Sequence, residues 1–368
     1  MEIFNIPTKN NKTILALGAE SAGFFSVYYK NKIFLSDDFG DLLNENNFAK
    51  FKTAVINFLE KEKISPEIII TDFHPQYKTT LLGKKLATKY SSEHIKIQHH
   101  LAHIFSAVGE HLIKHQKLKI PFPFFGIAMD GTGFGDDNKI WGGEIFEFQV
   151  INNKYQIKRL GHLENQILLG GELAIREPAR MLISILNKIL DKNNIYKYIE
   201  KYYTPNQFEL LYNQLQQNFN CQKTSSTGRI LDAVSVLLGF ANNKRTHKHE
   251  ATELLEKNST SPYILKPKIL STKPLKTLNT TYLFEYLIKN IREDKKRLAA
   301  TTQIYLASGL YRIMGSNNFF FAGGITNNKT ISDYFLTKGG ITNKKIPRGD
   351  AGLPFGQIIF YLLTNSGD

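Results

Sequence analysis

The chain has 368 residues, 42% of them hydrophobic and 22% charged, which excludes wholesale disorder and suggests two compact lobes at roughly 150 residues each. The formal net charge of +14 favours polyanions, but the lysines are spread through residues 113–119, 243–245 and 292–297. With asparagine abundant too, the charge reads as compositional, and nucleic acid is the weaker expectation for a partner. A single cysteine, Cys221, excludes an internal disulfide framework and a thiolate zinc site within one chain. No apolar run reaches the roughly 18 residues of a membrane span, and the opening MEIFNIPTKNNKTILALG lacks the order of a secretory signal. A cytoplasmic protein without a membrane segment is expected.

An apolar run at residues 13–17 stops at Gly18-Ala19-Glu20, and β-rich segments at 24–29 and 32–35 flank the turn Lys30-Asn31. Phe48, Phe51, Val55, Phe58 and Leu59 recur at helical spacing across 47–61. A buried strand at 67–72 ends in Asp72, followed by a helix around 81–89, a strand at 95–97, a helix over 99–114 and a strand from Phe124 ending in Asp130. Residues 140–148 read as the return strand of a hairpin turning over 131–138. The stretch 178–241 is mostly helical, and 257–281 is polar and proline-dotted, an exposed loop. A helix over 298–314 leads into the strand Phe319-Phe320-Phe321-Ala322, and a last helix covers 353–363. Alternating strand and helix imply α/β layers in two similar halves.

Gln98-His99-His100-Leu101-Ala102-His103 places His99 and His103 one helical turn apart, where both imidazoles can reach one metal ion. Ser106 and Glu110 fall beneath them, and Leu101, Phe105, Val108 and Leu112 form a stripe on the opposite side. The alternative is a histidine pair that is packed or merely solvated. Asp130-Gly131-Thr132-Gly133 puts an acid at a strand end before a glycine-rich turn, which suits a phosphate or metal–phosphate group, or is simply a hairpin turn. Gly323-Gly324, after the strand, points at the same cleft or is an ordinary strand-to-helix turn. Asp350 in Arg348-Gly349-Asp350-Ala351-Gly352 could be an N-cap. Arg176-Glu177-Pro178-Ala179-Arg180 could clamp an acyl or phosphate group, or form a surface salt-bridge cluster. Ser225-Ser226-Thr227-Gly228-Arg229 reads as a capped helix start carrying Asp232, an acid able to meet ribose hydroxyls, although capping alone explains the serines. Cys221 has no neighbouring histidine in sequence and reads as structural.

Together these segments, with Asp72-Phe73-His74-Pro75, Trp141-Gly142-Gly143-Glu144 and Ala174-Ile175-Arg176-Glu177-Pro178, resemble one family. It is the C-terminal carbamoyltransferase domain of the hydrogenase-maturation protein HypF, related to the tRNA threonylcarbamoyl transferase TsaD and to antibiotic O-carbamoyltransferases. The resemblance implies the two-lobed fold of actin, Hsp70 chaperones and sugar kinases (ASKHA), each lobe an RNase H-like mixed sheet with helices. The lobes would span 1–125, with 350–368 packing back on them, and 126–349, with a helical insertion and the loop 257–281. It further implies that His99, His103, Asp130 and Asp350 ligate a divalent metal, iron by analogy with the relatives, with zinc and magnesium open. Gly131, Thr132, Gly133, Asp232, Gly323, Gly324 and Asn328 would hold an adenine nucleotide, and Asp130, Arg176 and Glu177 would serve catalysis.

In the family the carbamoyl group of carbamoyl adenylate, made by a YrdC-like domain, moves to the C-terminal cysteine of HypE for the cyanide ligands of [NiFe] hydrogenase. This chain carries no acylphosphatase-like, zinc-finger or YrdC-like segment, so a YrdC-like partner in trans is implied. Other acceptors (a small-molecule hydroxyl or tRNA) and a non-catalytic nucleotide-binding paralogue are the alternatives. The sequence departs from the family where T-Y-E-G-Q-A-A becomes Thr246-His247-Lys248-His249-Glu250-Ala251-Thr252, and where the lysine expected after Gly18-Ala19-Glu20 is missing.

Overall fold

Six strands build the first sheet of the computed structural model, which describes residues 1–6, 8, 10–116, 120–152, 154–272 and 274–365. They are β1 (Glu2–Asn5), β2 (Ile14–Ala16), β3 (Ser26–Tyr29), β4 (Lys32–Leu35), β5 (Ile68–Asp72) and β6 (Glu93–Ile97), in the order β1-β4-β3-β2-β5-β6. Strand β2 runs antiparallel to β3 and parallel to β5, which is parallel to β6. Both β2 and β5 are buried along their whole length, which is why they read as unbroken apolar runs. Three helices accompany this sheet: α1 (Glu45–Lys61), α2 (Lys78–Tyr90) and α3 (His99–His115). The Asn44 side chain caps α1, and Phe51, Val55 and Leu59 bury its apolar stripe.

The second sheet holds eight strands: β7 (Phe124–Phe134), β8 (Ile140–Ile151), β9 (Lys154–Leu163), β10 (Gln166–Leu169), β11 (Cys221–Thr224), β12 (Ile269–Thr272), β13 (Leu275–Leu278) and β14 (Phe319–Ala322). The meander β7-β8-β9 is antiparallel, and β14 and β13 add parallel strands to its two sides. Between β10 and β11 lie α4 (Leu173–Arg176), α5 (Pro178–Leu186), α6 (Lys192–Ile199) and α7 (Pro205–Gln216). After β11 come α8 (Thr227–Leu238) and α9 (Glu250–Lys257), and later α10 (Thr280–Lys289), α11 (Lys295–Met314), α12 (Lys329–Thr337) and α13 (Leu353–Thr364). Two mixed sheets with helices give the two-lobed α/β architecture expected from the sequence. Among the described residues no helix is long and apolar enough to cross a membrane.

Helix α3 lies between the sheets, against β7 and β14 on one side and α13 on the other. Glycines set that spacing: a Cβ on Gly356 would fall 1.9 Å from the Ala102 carbonyl oxygen, and one on Gly109 would fall 2.5 Å from Ile359 Cγ1. Helix α13 also reaches β2, β3 and β5, so the end of the described chain covers the first sheet.

Several expectations need correcting. Strand β7 does not end at Asp130 but continues to Phe134 through an irregularity between Met129 and Gly133, so the hairpin turns beyond Phe134. The segment 257–281 is not simply a loop, because β12 and β13 pair within it. Strand β1 and the long β9 were not anticipated; lysines interrupt the apolar residues of β9 and mask its alternation. The imidazoles of α3 are not set off from an apolar stripe: His99, His100, His103 and Ser106 are as buried as Phe105, Val108 and Leu112, because the helix is covered from both sides. Lys117, Leu118 and Lys119 of the basic run, Lys273 of the 257–281 segment and residues 366–368 lie outside the described residues.

Since a backbone oxygen cannot yield as a side-chain tip can, Gly356→Ala is expected to destabilise the fold by about 3 kcal/mol. Gly315→Ala, at an open helix end with nothing within 4 Å, should cost far less despite its positive φ. Urea unfolding midpoints of the two variants check the difference.

Candidate metal centre

The start of α3 is fixed by Gln98, whose side-chain oxygen accepts the N–H groups of His100 at 2.7 Å and Leu101 at 3.0 Å. With that oxygen engaged, the amide nitrogen of Gln98 donates to Phe134 O at 3.1 Å and meets His100 Nδ1 at 2.9 Å. Nδ1 of His100 is therefore the acceptor, and its proton sits on Nε2. One helical turn apart on α3, His99 and His103 point their Nε2 atoms at one another, 3.2 Å apart. Asp130 from β7 brings Oδ2 to 3.2 Å from His99 Nε2 and 3.7 Å from His103 Nε2. Asp350, opening the short turn before α13, brings Oδ1 to 3.6 and 3.4 Å from the same two atoms. It caps no helix with its side chain.

One donor atom from each of the four residues lies within 4.8 Å of the others. Ligands about 2.0–2.1 Å from one ion are separated by about 3.3 Å when tetrahedral, so only small shifts separate this cluster from a coordination shell. Two imidazole nitrogens facing each other cannot both donate, and both can ligate. The residues fit a divalent ion.

Without an ion the carboxylates favour protonated imidazoles, a positive charge that a divalent ion would replace. Burial would push the His99 imidazole down, but Asp72, Asp130 and Asp350 outweigh it and hold it well above its usual value. His103 is likewise raised by Asp130 and Asp350 against burial. Burial works against the charged form of Asp130 too, yet His103 and His99 hold that carboxyl well below the usual range. Asp350 is pulled down by the same imidazoles, against burial and the charge of Asp130.

Two supports reach the cluster from behind: Asp72, and the pair Ser106 and Glu110 that the sequence places beneath the histidines without saying what they hold. Asp72, at the end of β5, places Oδ2 2.7 Å from His99 Nδ1, with both side chains almost fully buried. The contact puts the His99 proton on Nδ1 and turns the Nε2 lone pair toward the other donors. On the far side, Glu110 accepts the N–H groups of Lys344, Lys345 and Ile346 at 2.8–3.0 Å. Asn343 donates to Ser106 Oγ at 2.7 Å, while Arg348 Nη1 donates to Thr326 O and Ser332 Oγ, each at 2.9 Å. Ser106 and Glu110 thus hold the loop that delivers Asp350. The paired acid in Asp72-Phe73-His74-Pro75 was the only sequence signal of the first support.

The glycine residues crowd the same place. Gly324 N–H donates to Asp130 Oδ1 at 3.1 Å, and a Cβ on Gly133 would strike the rings of His99 and His100. Gly323 (φ +102) lets the chain pass the Met129 carbonyl, where a Cβ would be 2.3 Å from the oxygen. Gly131 and Thr132 are half-buried at the rim. Asn328 caps α12 through Ile331 N–H at 3.0 Å. Asp232 is fully buried and paired with Arg229 and Arg245, not left open. Glu177 is taken by Arg180 Nε at 2.6 Å and the Tyr203 hydroxyl at 3.0 Å, and the exposed Arg176 side chain has no hydrogen bond or ion pair among the described residues. Behind the turn the buried Glu144 meets Arg159 Nε at 2.7 Å and the Ser225 hydroxyl, and Arg159 lies 3.6 Å over the Trp141 ring, tying β8 to the start of α8.

Residues 126–357 match the family model described as "Carbamoyltransferase, Kae1-like Domain, second subdomain", and residues 9–110 match "HypF Kae1-like domain". The chain belongs to the HypF carbamoyltransferase family. It is 33% identical to the probable carbamoyltransferase HypF of Methanocaldococcus jannaschii over 99% of its own length and 48% of that protein. Identity to the HypF of a Synechocystis species is 28% over 68% of this chain and 33% of that one. The chain therefore spans about half or less of these HypF relatives. Its fold superposes on a full-length HypF in a phosphate- and nucleotide-bound form with a TM-score of 0.86 at 23% identity, covering 98% of this chain and 57% of that one. For the HypF of T. kodakarensis the values are 0.83 and 27%, with 98% and 49% covered.

Two outcomes follow from the centre. Bound iron or zinc should be lost from the His99→Ala, His103→Ala double variant, and Asp72→Asn should weaken metal affinity by about 10- to 100-fold, as read by titration and elemental analysis. In chelator-stripped protein, the raised imidazoles contribute stability that is full below the unfolded histidine pKa and lost as pH rises through their folded values. The depressed Asp130 and Asp350 contribute stability that is present above the unfolded carboxylate pKa and lost as pH falls. Thermal midpoints of stripped protein should therefore peak between those two ordinary values, and the loss on the alkaline side should shrink in His99→Gln.

Proposed function

We propose that this chain transfers the carbamoyl group of carbamoyl adenylate to the C-terminal cysteine thiolate of HypE, with a YrdC-like domain supplying the adenylate. The observation that carries the reading is the convergence of His99, His103, Asp130 and Asp350 beside the Gly131–Gly133 turn, in a member of the HypF family. Two imidazoles, two carboxylates and no thiolate suit iron or zinc better than magnesium. An ion held there supplies Lewis-acid neutralisation of charge on the anhydride.

The chain's own residues bind and orient. The Gly131–Gly133 turn would take the phosphate, with Gly323-Gly324 packed beside it against Met129 and Asp130 and Asn328 one short turn farther on toward the nucleoside. Arg176, whose guanidinium has no partner among the described residues, would meet the carbamoyl oxygen or the incoming partner, and Glu177 fixes the start of α5 beside it. The incoming thiolate forms a C–S bond to the carbamoyl carbon while the C–O bond to phosphate breaks and AMP leaves with the electron pair. No nucleophile from this chain is needed. Burial raises the Cys221 thiol, and its sulfur lies against the Phe219 carbonyl at 3.5 Å with no imidazole beside it, so it is a poor thiolate.

Incubation with synthetic carbamoyl adenylate and HypE is expected to place a carbamoyl mass on the last residue of HypE. The His99→Ala, His103→Ala variant should slow transfer by ~10²-fold or more. Unmodified HypE after incubation with metal-loaded wild-type protein would overturn the reading.

A further inference from the structure

Asp232, in the second turn of α8, is 1% exposed at its side chain, and two guanidiniums converge on one of its oxygens: Arg229 Nη2 at 2.8 Å and Arg245 Nη2. Both arginine side chains are themselves more than nine-tenths buried, at 7% and 9% exposure. The Nε atom of each, and Asp232 Oδ1, are sealed from solvent without a hydrogen-bond partner among the described residues. One carboxylate against two guanidiniums leaves a positive charge over in a buried place, a costly arrangement unless an anion completes it. Burial, with Arg229 adding to it, lowers Arg245 from its usual value despite Asp232. Glu250, at the start of α9, attracts Arg245 from a distance while accepting Thr246 N–H. Arg245 Nη1 donates to Lys248 O at 2.9 Å, so no second carboxylate reaches either guanidinium directly among the described residues.

The cluster borders the glycine turn that follows Asp130. Arg229 Nη2 lies 3.8 Å from where a Cβ on Gly131 would sit. Ser226 Oγ accepts Arg229 N–H at 3.1 Å and donates to Gly131 O at 2.5 Å, which locks the positive end of α8 to the same turn. An anion lying over Gly131 would have Asp130 of the quartet on one side and Arg229 on the other, with Arg245 behind it on the shared Asp232 oxygen.

We infer that Arg229 and Arg245 grip the phosphoryl group of the adenylate, and that Asp232 holds their guanidiniums in register and does not take ribose hydroxyls. This rests on the adenylate reading above for the identity of the ligand. A ribose diol needs a free carboxylate, and here Oδ2 receives two guanidiniums while Oδ1 is closed off. A phosphate over Gly131 would instead meet Arg229 Nη2, the guanidinium nitrogen that borders the turn. As the anhydride C–O bond breaks, the electron pair stays on the departing phosphate, and paired guanidinium forks are suited to that growing charge.

The test is calorimetric titration of the full chain with AMP, adenosine, 2′,3′-dideoxyadenosine monophosphate and inorganic pyrophosphate. AMP and its dideoxy analogue are expected to bind within about threefold of each other and at least about tenfold tighter than adenosine. Arg245→Gln, in a surface segment and checked by its unfolding midpoint, should bring AMP down to the adenosine level and leave adenosine unchanged. Arg245→Lys should recover part of the difference. The inference is overturned if wild-type protein binds adenosine as tightly as AMP, if the AMP preference survives Arg245→Gln, or if removing the ribose hydroxyls costs tenfold. Pyrophosphate binding that depends on Arg245, with neither AMP nor adenosine bound, would keep the anion site and remove the adenylate reading. Binding of no probe would remove both.

Discussion

Two imidazoles and two carboxylates are pressed together at the start of α3, and almost every constraint on the cleft can be traced to that crowding. Four ionisable groups in so little water need either a shared proton balance or a shared cation. The chain commits to one arrangement by fixing each group from behind: Asp72 holds His99, Gly324 N–H holds Asp130, and the loop anchored on Glu110 holds Asp350. Glycines at 133, 323 and 324 leave the room that side chains would fill.

The glycines also explain how the two sheets can serve one site. Helix α3 must touch β7 closely enough to bring Asp130 over its first turn, and α13 closely enough to bring Asp350 to the same point. Gly126 against Ile104 and Gly356 against the Ala102 carbonyl permit those two approaches. Packing and chemistry are therefore one problem here: a helix a little farther from either neighbour would keep its hydrophobic contacts and part a carboxylate from the imidazoles.

Much of this was open to reading from the sequence, for identifiable reasons. The i, i+4 spacing of His99 and His103 survives any error in helix boundaries, and long apolar strands such as β5 and β14 announce themselves by composition. Asp350 was different: spacing alone made it a possible helix cap, and only the family resemblance set it beside histidines about 250 positions away. The partners of Asp232 and Glu177 were hidden because Arg245 and Tyr203 arrive from separate segments whose paths no local pattern fixes. Short four-residue strands such as β12 and β13 were lost in a proline-dotted stretch, where pairing rather than propensity makes the strand.

Glu110 sits about two helical turns beyond His103 and touches no prospective ligand of the ion. Its carboxylate nonetheless absorbs three consecutive peptide N–H groups, so the loop before Asp350 is tethered to the far half of the histidine helix. Under the metal reading, a survey of variants scored only by metal content would accordingly flag this remote acid alongside His99, His103, Asp130 and Asp350, and distance from the cluster would be a poor guide to which positions govern it.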